Sequence, residues 1–301
     1  MIFTTRKKKR EIERNLAELA RRRGQTRDVV ARLVRNKLGM VGLVIVFVML
    51  VLIVFAGFFT KYGVNAQDFS VKLKTPGAGH IFGTDNVGRD LWTRLLYGGR
   101  ISLLVSVIAV AISLGIGMLL GSIAGYFGSK YDTIIMRAMD ILMAIPALLL
   151  AIIISAALGT GPINSALAIS ISGIPPCTRM MRSTVMSIRD NEFVEAARAT
   201  GSKNLRIIFR HILPNTLAPL IVVSSLSIGG NIMAISALSF IGLGVRPPTP
   251  EWGSILADGR SYIREFYPII LFPSLFIALT MFGFNLLGDA LRDALDPKLK
   301  N

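Results

Sequence analysis

The sequence predicts an all-α polytopic membrane protein with six transmembrane helices. Three observations predict it. Hydrophobic residues make up 52% of the 301 residues and charged residues only 17%, with a mean hydropathy of +0.58, whereas an ordinary soluble domain carries about 25% charged residues. Apolar runs of about 20 residues, the length that crosses a hydrocarbon core of roughly 30 Å, recur along the chain. The 34 Lys and Arg exceed the 18 Asp and Glu by 16 and concentrate in alternate connections, the pattern that orients membrane helices.

Taken in order, residues 1–37 form a basic cytoplasmic extension, too charged for a signal peptide, with helical turns expected around Glu11 to Arg23. The first span, Leu38 to Phe59, contains no charge and would serve as an uncleaved signal anchor. The second runs from Ile101 to about Tyr126. The third covers Ile134 to Leu158, with Arg137 and Asp140 near its start and Pro146 inside it. The fourth, about Ile163 to Pro176, is short and contains Gly173, Pro175 and Pro176, continuing past the prolines toward Met181. The fifth, Thr216 to Gly244, exceeds one crossing and is interrupted at Gly229-Gly230-Asn231; the sixth runs from Tyr267 to about Leu287. The transmembrane domain is thus residues 38–290, followed by a cytoplasmic tail, 291–301.

With the N-terminus inside, 25 of the 34 basic residues fall in inside segments, so both termini are expected in the cytoplasm. This asymmetry accounts for the pI near 10.5 without a nucleic-acid partner. A single cysteine, Cys177, and two histidines, His80 and His211, exclude an internal disulfide framework and a Cys- or His-rich metal site. No G-x-x-x-x-G-K-[ST] loop occurs, so no nucleotide site of that kind is expected on this chain.

The segment between the fourth and fifth spans, about 179–215, carries the most information. Asp190 or Asn191 can N-cap a short helix, acids in its first turn suit the dipole, and Gly201 can take the left-handed stop. Phe193, Ala196, Ala197 and Thr200 follow helical spacing, giving a flat, small-residue face. Such a face fits a partner groove or the chain's own cytoplasmic side. Ser202 is placed to cap a second helix, and Pro214 marks entry to the next span.

Glu195-Ala196-Ala197, three residues, Gly201 and then Leu213-Pro214 resemble the EAA loop, E-A-A-x3-G-x9-I-x-L-P, of permease subunits of ATP-binding-cassette importers, with His211 at the isoleucine position. Two further segments resemble the second, C-type permease of dipeptide, oligopeptide and nickel importers: His80 to Leu91 with Arg94 to Leu103, and Leu238 to Val245 with Pro247 to Gly253. The resemblance implies a type I importer permease in the inner membrane of a prokaryote, forming half of a translocation pathway that works by alternating access. It implies a second homologous permease, two ATP-binding subunits that hold ATP and Mg, and an extracytoplasmic substrate-binding protein. Coupling to the ATPases would fall to Glu195, Ala196, Ala197, Gly201 and Phe193. A secondary transporter and a non-transport membrane scaffold are the competing classes; Asp140 as a lone intramembrane acid supports the first poorly, and the second lacks a soluble domain or catalytic cluster.

In the outer loop, Gly83 and Gly88 allow sharp turns, and Asp85, Arg89 and Asp90 can hold one another as a clasp or gate facing a binding protein. Pro247, Pro248 and Pro250 stop the fifth helix, and Trp252 suits an interfacial ring. Gly117, Gly121 and Gly125 allow close helix approach. Arg137 and Asp140 are expected to pair and snorkel, Gly229, Gly230 and Asn231 to form a hinge or polar pathway point, and Met118, Met143 and Met233 to pack.

Overall fold

The computed structural model describes residues 29–295. Most of the N-terminal extension, including the helical turns expected around Glu11 to Arg23, and residues 296–301 lie outside the described residues.

Helix α1, Lys37–Val54, starts where the Asn36 side chain accepts the Gly39 N–H at 3.0 Å, and α2, Ala56–Phe59, continues it past a break at Phe55. Helix α3, Leu91–Phe127, is 37 residues long, about 55 Å at 1.5 Å per residue. It begins ten residues before the expected second span. Asp90 caps it by accepting the Thr93 N–H at 2.8 Å, and Leu91, Leu95 and Leu96 are fully buried, so its first turns pack on the chain's own core. Arg100 on α3 donates to the Ile53 and Val54 carbonyls at 2.9 and 2.8 Å, satisfying acceptors that the end of α1 leaves open.

The expected third span is two helices, α4, Ser129–Met143, and α5, Ala147–Leu158, bent by 87°. Pro146 lies at the break, where it cannot donate and drives the preceding residue out of the α region. Helix α6, Pro162–Ile188, passes through Pro175 and Pro176, in keeping with the expected continuation toward Met181, and runs on to Ile188. Its close packing along α3 holds it: a Cβ on Gly117 would lie 2.7 Å from Cys177 Sγ, and one on Gly125 would lie 2.9 Å from Val185 Cβ. This is the most extensive interhelical contact among the described residues.

After the loop helices described below comes α9, Leu217–Phe240. It is continuous, so the expected interruption at Gly229-Gly230-Asn231 is absent; backbone bonding carries the helix through two glycines that each cost only about 1 kcal/mol. Helix α10, Trp252–Gly259, lies in the next connection and α11, Pro268–Leu295, completes the chain.

Among the described residues, four helices are long and apolar enough to cross a membrane, and the bent α4–α5 pair would make five. The fourth expected span, α6, has the length but carries Ser165, Ser170, Thr178, Arg179 and Arg182. Ser165, Ser170 and Thr178 are buried among the helices, whereas Arg179 and Arg182 pair with acids on α4. One apolar core joins α1, α3, α10 and α11; a second lies beneath the 190s loop; a third joins α3, α5, α6 and α9.

The α3–α6 seam gives a direct stability test. A Cβ on Gly121 would stand 2.7 Å from Met181 Cβ and 2.9 Å from Arg182 N, so Gly121→Leu should destabilise the subunit by about 1–3 kcal/mol through overpacking. Gly115→Leu, with nothing within 4 Å of its Cβ, should melt like the wild type. Thermal unfolding in mild detergent measures both.

Candidate functional site: the loop between α6 and α9

Helix α7, Glu192–Ala199, follows the N-cap Asn191, whose side chain makes no capping bond. Glu192 and Glu195 occupy the first turn, favourable to the positive end of the helix dipole. The stop is a Schellman turn: Ser202 N–H donates to Ala197 O at 3.1 Å and Gly201 N–H to Arg198 O at 2.9 Å, with Gly201 at φ +78°. Gly201 therefore does what its place in the sequence predicts.

The expected face divides. Val194 is fully buried and Ala197 6% exposed, seated with Met181, Val185, Ile207 and Ile212. Ala197 is thus used inside, while Phe193, Glu195, Ala196 and Thr200 remain exposed. Ser202 does not cap the next helix; α8, Asn204–Ile207, has Lys203 at its N-cap, and a π turn, Ile208–Ile212, leads to a 3-10 turn, Leu213–Thr216. The wider π turn sets His211 half-buried and gives the core position to Ile212. Tyr126 at the end of α3 steadies the loop, donating from its hydroxyl to Asn204 Oδ1 at 3.0 Å, while the Arg198 guanidinium lies 5.2 Å from its ring centre.

A second polar assembly joins the 83–90 loop, the start of α3 and α10. Gly83 and Gly88 have φ of +80° and +77°. Asp85 Oδ2 accepts from Arg89 Nε at 2.5 Å, and its Oδ1 accepts the Arg89 and Val87 N–H groups at 2.9 and 3.0 Å. Arg89 reaches Asp258 at 3.3 Å. Arg94 lies 3.6 Å from Asp85 and 4.0 Å from Asp258. Two cations thus meet two carboxylates, with Asp85, Arg89 and Arg94 2%, 6% and 1% exposed and the Asp258 side chain 23%. Burial holds the Asp258 carboxyl above its usual range, against the pull of Arg94 and Arg89. Asp90 does not join Arg89: it caps α3 and accepts from His80 Nδ1 at 2.9 Å, and Tyr62 stacks on His80.

Sequence reasoning gave no role to Arg94, Asp258 or Glu251. Glu251, fully buried, accepts from Ser102 Oγ at 3.0 Å and from the Ser254 N–H at 3.0 Å, closing a capping box on α10; its spacing to Ser254 was the available signal. Trp252 is not in an interfacial ring. It is fully buried and donates to Leu95 O at 2.9 Å, because the indole fills the angle between α3 and α11. Asp140 pairs with Arg179 at 2.7 Å rather than with Arg137, because α6 lies alongside α4. Gly229 lies against α11, where a Cβ would meet Met281 O at 3.3 Å, and Gly230 faces open space.

The family of binding-protein-dependent transport system inner membrane components matches residues 117–301, and the N-terminal transmembrane domain of oligopeptide transport permease C matches residues 24–76. The chain is 46% identical over 275 residues to a dipeptide transport system permease protein of Alkalihalophilus pseudofirmus, covering 91% of this chain and 90% of that one. It is 43% identical to a di/tripeptide transport system permease protein of Pseudomonas aeruginosa, covering 88% and 90%. It is 38% identical to an oligopeptide transport system permease protein of Bacillus subtilis, covering 91% and 90%. Among solved structures, an inward-facing MetNI methionine ABC transporter shares the fold with a TM-score of 0.54 at 16% identity, over 67% of this chain and 96% of that one. The chain therefore belongs to the binding-protein-dependent transport system inner membrane components, as a C-type permease subunit of an ATP-binding-cassette importer.

Proposed function

We propose that this permease carries peptides and works with a second homologous permease, two ATP-binding subunits and an extracytoplasmic binding protein. The 46% identity to a dipeptide permease along nine-tenths of both chains carries the cargo reading. Both termini lie in the cytoplasm and the 83–90 loop faces outward, toward the binding protein; the distribution of basic residues supports this orientation. Phe193, Glu195 and Ala196 then present the exposed side of α7 to an ATPase cleft, while Ala197 and Gly201 fix its seat and its stop. ATP and Mg belong to the partner subunits. Closure of the ATPase dimer would move α7 and, through Met181 and Val185, the inner end of α6. Gly229, Gly230 and Asn231 act within a continuous α9, with Gly230 on the side left open toward the pathway.

Co-purification from mild detergent tests the assembly. The complete complex should hydrolyse ATP and take up a dipeptide, whereas the isolated chain should show no ATP turnover above background. Turnover by the contaminant-free chain, or recovery without any ATPase subunit, would overturn the reading.

A further inference from the structure

Helices α4 and α6 border an open groove of about 440 Å³ lined by Asp132, Arg137, Asp140, Arg179 and Arg182, among others. Two ion pairs bridge the helices, Asp132 with Arg182 and Asp140 with Arg179. The pairs differ in access. The Asp132 and Arg182 side chains are 22% and 30% exposed, whereas those of Asp140 and Arg179 are 48% and 50% exposed. Arg137, also exposed and one turn before Asp140, makes no ion pair with any described residue. Arg179 stands nine residues before the end of α6, about 14 Å along the helix. Half-open charges on membrane helices face water or protein rather than lipid.

We propose that this groove is a transit site for the zwitterionic backbone of a peptide, resting on the peptide-cargo reading above. Arg137 and Arg179 receive the terminal carboxylate, and Asp140 receives the terminal ammonium. Every peptide carries these two charges whatever its side chains, so a groove that reads them serves cargo of varied sequence. Its volume falls within the range of about 300–1,000 Å³ usual for small-molecule sites. The Asp140–Arg179 pair is suited to exchange, because an exposed ion pair is weakly held and each member can trade its partner for a charge on the cargo. A transport site must release as readily as it binds, and a loosely paired site does so. A lipid phosphate fits less well: Asp132 and Asp140 stand in the same groove and would repel a simple anion.

The test uses the whole complex in proteoliposomes, with binding protein, ATP and a labelled dipeptide. Arg137→Gln, Asp140→Asn and Arg179→Gln are each compared with wild type for uptake and for ATPase subunits retained. Loss of one charge-assisted contact should lower uptake about tenfold, with the complex still assembled. In parallel, Thr133→Cys introduces a thiol at the groove, and the native Cys177 is buried. A water-soluble thiol reagent should modify it in the assembled complex, and dipeptide turnover should slow that modification. Wild-type uptake by all three variants, an unreactive Thr133→Cys, or protection by phosphatidylglycerol vesicles but not by dipeptide would each overturn the transit site while peptide uptake by the wild type leaves the cargo reading intact. A wild-type complex that carries no peptide would overturn both.

Discussion

Asp85→Ala should destabilise the subunit by about 3–5 kcal/mol, the usual cost of removing one partner from a buried charge cluster. Arg89 and Arg94 would be left buried with only Asp258, at 3.3 and 4.0 Å. The turn would also lose the acceptor for the Val87 and Arg89 N–H groups. Asp85→Asn should cost less, because the amide oxygen can keep those backbone bonds and only the charge is lost. Pairing Asp85→Ala with Arg89→Ala should recover part of the loss, since an unpaired buried cation is the larger penalty. Asp68→Ala, in an exposed turn of the same connection, should unfold with the wild type. Thermal melting in detergent and membrane abundance measure all four. An Asp85→Ala subunit that melts like the wild type would show that the cluster does not join loop, α3 and α10.

What the sequence made legible was local. The apolar runs located every long helix, and Gly201 announced its own conformation because an amphipathic turn ends just before it. The 83–90 loop was legible for the same reason, with Gly83 and Gly88 at its bends and Asp85 and Arg89 four residues apart. Asp258 was not: its partner Arg89 is 169 residues away, and no local pattern records such a meeting. The sequence carries α6 past Pro175 and Pro176 only toward Met181, and the α3 glycines supply the packing that keeps the helix going to Ile188. On α7, spacing put Phe193, Ala196, Ala197 and Thr200 on one face, and only the core beneath it decided that Val194 and Ala197 point inward. Asp140 was assigned to Arg137 because they lie one turn apart; α6 supplied a better-placed arginine from another helix.

Gly201→Val should uncouple transport while leaving the membrane helices inserted. The residue holds φ +78°, yet a Cβ there would meet nothing within 4 Å. The penalty is therefore conformational rather than steric, about 1–3 kcal/mol for a β-branched side chain held in the left-handed region. Relief of that strain would open the turn that keeps Ser202 bonded to Ala197 and would re-aim α7 and its exposed Phe193, Glu195 and Ala196. Fully transmitted, the loss would weaken ATPase attachment about 5- to 150-fold, at tenfold per 1.4 kcal/mol. Because the space is open, Gly201→Asn should stay close to wild type, since asparagine visits this conformation at low cost. Glu195→Ala should fall between the two, removing an exposed carboxylate while keeping the backbone path. Membrane level, ATPase retention and peptide uptake should be measured for all three. Normal retention and uptake by a Gly201→Val subunit present at normal levels would show that α7 is not the coupling element. Equal losses for valine and asparagine would show instead that the side chain obstructs a partner surface, so that the space beside Gly201 is filled by the ATPase in the assembled importer.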